Sequence, residues 1–120
     1  MRYMFLVYST ETAEATAAPA SLREVAEAHR RVMDEASRKG VLLGAEPLKP
    51  TSTATTVRSQ DGEKIIVDGP FAETKEQLAG YYILDCRDLD EAIDWAKKIP
   101  TGCKGGEGCI EIRPLEKTEH

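Results

Sequence analysis

The spacing at which hydrophobic residues recur along this chain predicts helices in some segments and strands in others. From residue 22 to residue 36 apolar side chains recur at steps of three and four, as on a helix with one buried face. Ser21 and Glu24 precede this stripe as a capping box, and Gly40 follows it where a left-handed C-terminal cap is expected. The pattern predicts a helix from about residue 21 to residue 38.

Stretches rich in β-branched and aromatic side chains predict the strands. These strands cover residues 2–8, 41–48, 78–86 and 109–114. A hairpin is predicted where TATTVRS and EKIIVD meet across Asp61 and Gly62, because an Asp-Gly pair accepts the positive φ angles of a tight turn. A second helix is predicted after Asp88 and Glu91, which form another capping box, and Pro100 ends it.

The order of these elements, β-α-β-β-β-β-α-β, predicts one ferredoxin-like α+β domain over residues 1–120. Its antiparallel sheet would carry both helices on one face. Both faces of the first strand are apolar, however, as are both faces of the strand that starts at Leu78. Tyr3, Phe5 and Val7 share one face of the first strand, and Met4, Leu6 and Tyr8 share the other. Since helices cover only one face, we predict a homodimer of face-to-face sheets, with a ligand cavity between sheet, hairpin and helix.

The composition narrows the functional classes. With 41% hydrophobic and 31% charged residues, it is typical of a soluble globular protein. A net charge of -5, with the basic residues scattered among acids, argues against nucleic acid as a partner. There is no apolar run near the roughly 20 residues that span a membrane, and MRYMFLVYS lacks a signal-peptide cleavage site. We therefore expect a cytoplasmic protein with no membrane partner.

Three cysteines, Cys86, Cys103 and Cys109, indicate reduced thiols in a chain with no export signal. Cys103 and Cys109 flank KGGEG, a spacing unlike that of standard zinc sites, and no nearby histidine completes a ligand set. A loop with incidental thiols accounts for them more simply. We predict neither a metal nor a cofactor.

The stretch VDGPFAETKEQLAGYY, residues 67–82, carries the densest candidate chemistry. Asp68 precedes Gly69 and Pro70, so it can accept backbone N–H bonds in an Asx turn, and the same rigid bend can lie against a ligand. Phe71 is expected to fill the core or line the cavity. The polar run of Glu73, Thr74 and Lys75 is either a solvated turn or a contact for a ligand or partner.

His29 is polar on an otherwise apolar helical stripe, so its ring should face the sheet or the cavity. It is either a core histidine that bonds a backbone carbonyl or a general base held by a carboxylate. Tyr81 and Tyr82 alternate in their strand, so one should lie under the helices and the other on the opposite face. Tyr8 and Ser9, at the end of the first strand, are weaker cavity candidates.

The string VDGPFAETKEQLAGYYILDCRDLDEAIDWAKKIP closely resembles the signature segment of the DGPF branch of the YCII-related family. RYMFLVY, GVLLGAEPL, TATTVR and IEIRPL look like other segments of the same family, so the resemblance covers nearly the whole chain. It implies a dimeric α+β barrel of ferredoxin-like subunits. Most members of the family lack an assigned activity, and DGPF-branch proteins are often encoded beside extracytoplasmic-function sigma factors.

The wider family is associated with a His and Asp pair, proposed as a catalytic dyad, and some relatives process chlorinated aromatic ring products. His29 resembles the family's histidine. The family's aspartate, which follows the second strand, has no counterpart here, because residues 47–56 contain no acid. Asp68 is our own assignment in its place.

Two hypotheses follow for the function. One is an enzyme, free of cofactors, that transfers a proton to or from a small organic molecule through His29 and Asp68, with the ligand touching Tyr82. The other is a non-catalytic dimer that binds a small molecule or a regulatory protein through residues 69–75. His29 and Asp68 in one concave pocket would favour the enzyme, whereas their separation would count against that pair.

Overall fold

A computed structural model describes residues 1–11, 18–101 and 108–117, so Cys103 lies outside the described residues. The elements of the sheet and its helices are β1 Arg2–Ser9, α1 Pro19–Arg38, β2 Leu42–Pro47, β5 Gln77–Asp85, α2 Leu89–Lys98 and β6 Gly108–Pro114. Between β2 and β5 lie a 3-10 turn, Thr51–Thr53, and the hairpin strands β3 Thr55–Gln60 and β4 Glu63–Asp68. The predicted order of elements is confirmed.

Four strands form one sheet in the order β2-β5-β1-β6, and every neighbouring pair is antiparallel. This is the arrangement of a ferredoxin-like fold in which the β3–β4 hairpin is an insertion that forms a separate two-stranded sheet. Neither described helix has the length and apolar character needed to cross a membrane.

The core lies between the two helices and one face of the sheet. Alternate side chains of β1 and β5 enter it, and Val32, Ala36, Ala92 and Trp95 of the helices meet them there. The sheet contributes Tyr3, Phe5, Val7, Tyr82 and Leu84. The opposite side chains of β1, from Met4 to Tyr8, are half-buried. Both faces of β1 are thus apolar, as its sequence predicts.

The ends of the helices agree only partly with the predicted caps. Helix α1 starts at Pro19 after Ala18, which makes no side-chain cap, so the capping box at Ser21 and Glu24 is wrong. Proline suits the first helical position because it has no N–H to satisfy, and the helix therefore begins two residues earlier than expected. At the other end Gly40 has φ +73°, which confirms the left-handed cap.

The cap of α2 and the hairpin turn follow the sequence more closely. Asp88 accepts a hydrogen bond from the Glu91 N–H at 2.9 Å, although the Glu91 carboxylate accepts from Arg87 N rather than completing the box. Asp61 and Gly62 have φ angles of 50° and 80°, so the predicted Asp-Gly turn is confirmed.

Candidate functional site

An open cavity of about 440 Å³ lies between α1 and the sheet. It exists because the two halves of α1 pack differently: Val32 and Ala36 in the second half are buried in the core, whereas Leu22 and Ala26 in the first half are exposed. Most of the lining is apolar. It includes Leu22, Val25, Ala26 and Met33 from α1 and Val7 and Ala45 from the strands.

His29 and Tyr82 form a hydrogen-bonded pair in the wall of this cavity. His29 lies on the same stripe of α1 as Val25 and Met33, and Tyr82 is 3% exposed on the inner face of β5. The Nδ1 atom of His29 is 2.6 Å from the Tyr82 hydroxyl oxygen. The two rings are stacked, with centroids 5.8 Å apart and an interplanar angle of 24°. Two contacts thus fix the orientation of the imidazole.

The Tyr82 phenol is neutral over the physiological range, because burial raises the pKa of Tyr82 to about 12. Its O–H can donate to an unprotonated Nδ1 of His29. In the neutral tautomer that carries its proton on Nδ1, and in the imidazolium, Nδ1–H donates to the phenol oxygen, and the phenol proton can turn to the His29 backbone oxygen, 3.5 Å away. The imidazole can therefore gain and lose a proton while the 2.6 Å contact persists.

Other polar groups of the cavity lie at its opening and at one end. Arg30 on α1 and Glu46 on β2 are exposed and place opposite charges on the two elements that flank the opening. Ser9 is 2% exposed and adds a hydroxyl at the end of β1. An apolar interior with a few placed polar groups is typical of a small-molecule site.

The lining of β5 differs from the predicted alternation. Val7 pairs with Gly80 but Tyr8 pairs with Leu78, so the register of β1 and β5 shifts by one residue at Ala79. Straight alternation predicted Leu78 on the Tyr82 face, but Ala79 lines the cavity instead of Leu78. A bulge of this kind re-aims side chains, and here it presents a small residue to the cavity.

Asp68 is not among the residues that line the cavity. It ends β4, where it pairs with Thr55 and is exposed to solvent. The Tyr82 hydroxyl contacts Nδ1 of His29. The exposure of Asp68 and its absence from the cavity wall count against it as the group that orients His29.

The loop after Asp68 is fastened to β3 rather than to the cavity. Gly69, with φ +99°, donates its N–H to the Ala54 oxygen at 2.8 Å, and Thr56 Oγ1 donates to the Gly69 oxygen at 2.7 Å. Phe71 is 78% exposed, so the expectation that it fills the core is wrong, and it does not line this cavity. The bonds of Gly69 bend the chain toward β3 and leave the aromatic ring outside.

The remaining predicted ligand contacts also lie outside the cavity lining. Tyr8 pairs with Cys109 on β6, and Thr74 donates through Oγ1 to the Glu76 oxygen in a local turn at 2.6 Å. Pro70, Glu73 and Lys75 belong to the same loop and do not line the cavity. Of the residues that the sequence analysis discussed as possible site residues, Ser9, His29, Tyr81 and Tyr82 are in the wall.

Among the wall residues that the sequence analysis did not propose are Arg30, Glu46 and Gly80. Arg30 follows His29 in the predicted helix, and Glu46 lies in the predicted second strand. Their positions in these elements were therefore the signal that could have identified them. Gly80 carried no signal beyond being a glycine within a strand, which is often the mark of close backbone approach.

Metal-binding groups are not gathered in the described residues, which contain no cluster of three or more His, Cys, Asp or Glu side chains placed to hold an ion. Burial, and then the nearby Glu91 carboxylate, raise the pKa of the Cys86 thiol to about 11. Cys86 is therefore a protonated core side chain at neutral pH.

Alkaline pH should destabilise the protein through Tyr82. An unfolded tyrosine ionises near pH 10, whereas the folded Tyr82 keeps its proton up to about pH 12, so the unfolded state binds fewer protons in this window. The free energy of unfolding should thus fall as pH rises from 10 to 12, by about 2 to 3 kcal/mol at the upper limit. Urea unfolding of the wild type and of Tyr82→Phe measures it, because both proteins keep Cys86. Parallel curves would contradict this assignment.

Comparison with known proteins gives two matches along the chain. The model of the YCII-related domain matches residues 1–118. An uncharacterized protein of Rhizobium meliloti (strain 1021) is 40% identical over 119 residues, which covers 96% of this chain and 92% of that protein. Both matches include the α1 and β5 segments that carry His29 and Tyr82.

Proposed function

The chain belongs to the YCII-related family, and from the cavity in its fold we propose that it binds a small, largely apolar organic molecule and exchanges a proton with it through His29. The observation that carries the proposal is the 2.6 Å contact between His29 Nδ1 and the Tyr82 hydroxyl in the wall of a 440 Å³ cavity. An imidazole held in one orientation beside a small-molecule site has the two properties of a general acid or base.

We propose that Nε2 of His29 exchanges the proton, in the tautomer whose Nδ1–H donates to the Tyr82 oxygen. In the forward step a proton leaves an O–H or acidic C–H bond of the ligand and binds the unprotonated Nε2, while the electron pair stays on the ligand. Nδ1–H donates to the Tyr82 oxygen before and after this step, and because Tyr82 is a neutral phenol, no second charge lies beside the imidazolium. Return of the proton to another atom of the ligand completes an isomerisation.

The lining indicates the chemical class of the ligand. Leu22, Val25 and Met33 suit an aliphatic or aromatic body, and Arg30 at the opening suits a carboxylate or another anionic group. Small aromatic and alicyclic keto acids combine these features with an acidic C–H. Asp68 has no part in this mechanism, since Tyr82 takes the orienting role that the sequence analysis gave to it.

A pair of matched substitutions on α1 tests the site. Ala26 and Ala20 are both exposed, but only Ala26 belongs to the cavity wall. We expect a thermal-shift screen of small keto acids and phenols to yield ligands that stabilise the wild type and Ala20→Phe. Ala26→Phe should lose this shift, because its ring fills the cavity. The proposal fails if no compound stabilises the wild type, or if Ala26→Phe responds as the wild type does.

A further inference from the structure

The cavity between α1 and the sheet is elongated. Its wall on α1 extends from Leu22 to Met33, a helical stretch of about 16 Å. On the sheet, Ser9 lies four residues beyond Phe5, and Phe5 pairs with Tyr82, so Ser9 is about 13 Å along β1 from the residue beside Tyr82. Ser9 and Tyr82 therefore line different parts of the cavity, and a ligand that reaches both is elongated.

Ser9 ends an otherwise apolar row on the inner face of β1. Tyr3, Phe5 and Val7 alternate along this face and pack in the core, and Ser9 is the next residue of the same alternation. It is buried, and it lines the cavity. A serine hydroxyl both donates and accepts hydrogen bonds, so it suits a ligand group such as a hydroxyl or a carbonyl. The cavity is therefore polar at this end of the row.

A carboxylate is held close to the end of β1. Glu11 lies two residues beyond Ser9, and its carboxylate accepts hydrogen bonds from the Thr51 N–H and from Thr51 Oγ1, each at 2.7 Å. Because like charges repel, this carboxylate disfavours an anionic ligand group beside Ser9. Arg30, at the opening of the cavity, attracts such a group instead. The end of the cavity at Ser9 thus suits a neutral polar group.

The wall between Ser9 and Tyr82 is apolar and carries small side chains. Val7 pairs with Gly80, which has no side chain, and Ala79 adds only a methyl group to the wall. Few side-chain atoms project from a surface of this kind, so a flat aromatic ring can lie against it. Burial of an apolar ring there is favourable. The middle of the cavity thus suits an aromatic ring with its polar groups at the two ends.

We propose that Ser9 is a specificity-determining residue, which binds a neutral hydroxyl or carbonyl group at the far end of an aromatic keto acid. In this arrangement the carboxylate of the ligand lies at Arg30 and its acidic C–H at His29. The ring lies over Val7 and Gly80 and directs the polar group to Ser9. This role rests on the proposed function, and it narrows the ligand class to aryl keto acids with a neutral polar group opposite the carboxylate.

Phenylpyruvate and 4-hydroxyphenylpyruvate differ by one hydroxyl group, and their affinities, measured by calorimetric titration, test this role. The wild type should bind the hydroxylated compound about 3- to 10-fold more tightly, as expected for one added hydrogen bond. Ser9→Ala should bind phenylpyruvate as the wild type does and should lose the preference. Ser37→Ala changes an exposed serine outside the cavity wall, so both affinities should stay unchanged. Arg30→Gln should weaken both compounds equally, because they share the carboxylate.

The ratio of the two affinities separates a contact with the ligand from a structural role of the Ser9 hydroxyl. Equal affinities in the wild type, or a preference that persists in Ser9→Ala, would overturn the role of Ser9 and leave ligand binding in place. An equal loss of both affinities in Ser9→Ala would show that the hydroxyl supports the wall, which also contradicts the proposed contact. If the wild type binds neither compound, the proposed ligand class fails, and the role of Ser9 fails with it.

Discussion

Replacement of His29 by glutamine is expected to slow proton exchange on the cavity's ligand by about 10² to 10⁴-fold, the range that general acid–base catalysis contributes. Glutamine can keep a hydrogen bond to the Tyr82 hydroxyl, but it does not exchange a proton near neutral pH. Ligand binding should change little, because the apolar lining is intact, so kcat falls while KM stays within about threefold. The rate of deuterium incorporation into a ligand from the screen, followed by NMR in D₂O, measures this effect.

Tyr82→Phe tests the orienting contact in the same measurement, and Tyr3→Phe is its matched control. Tyr82→Phe removes the hydroxyl that lies 2.6 Å from Nδ1, so the rate should fall and the pH at which it is half-maximal should shift. Tyr3→Phe removes a hydroxyl from another buried tyrosine, which lies on β1 and does not line the cavity, so its pH profile should match that of the wild type. A His29→Gln protein with an unchanged rate would exclude His29 as the base, whereas the Ala26→Phe test of ligand binding would stand independently.

Most of the fold could be predicted because its signals are local. The apolar stripe of α1, the Asp-Gly turn at residues 61–62 and the two-faced pattern of β1 each depend on a few consecutive residues, and each is present in the structure. The start of α1 was misplaced because two local signals compete there. The capping box at Ser21 is a weaker start than Pro19, which fits the first helical turn without losing a hydrogen bond.

The site could be predicted only in part because its decisive contact is not local. His29 and Tyr82 were each candidates, but their pairing depends on how α1 lies over β5. Asp68 was chosen as a carboxylate in a distinctive motif, yet it is the exposed last residue of β4 and does not line the cavity. The bulge at Ala79 shows the same limit, since a register shift between two strands leaves no mark on the alternation of either one.

Gly80→Ala is expected to lower the free energy of unfolding more than Gly44→Ala does. The two substitutions are chemically the same and differ in what surrounds the new Cβ atom. A Cβ at Gly80 would lie 2.8 Å from the Glu46 oxygen and 3.2 Å from the Pro47 Cα, so the backbone of β2 must move. Overpacking of this kind typically destabilises by about 1 to 3 kcal/mol. Gly44 lies in β2 itself, and its Cβ would meet only Ile83 Cδ1, at 4.0 Å. Gly44→Ala should change stability by less than about 0.5 kcal/mol.

Urea unfolding of the two variants measures this difference, and the same proteins test how rigid the cavity is. Glu46 and Pro47 both line the cavity, so a displaced β2 changes the wall that faces His29. Gly80→Ala should therefore also weaken ligand binding, whereas Gly44→Ala should not. If both variants unfold at the same urea concentration, β2 can shift without cost. The cavity would then be shaped by the ligand rather than by the packing of β2 against β5.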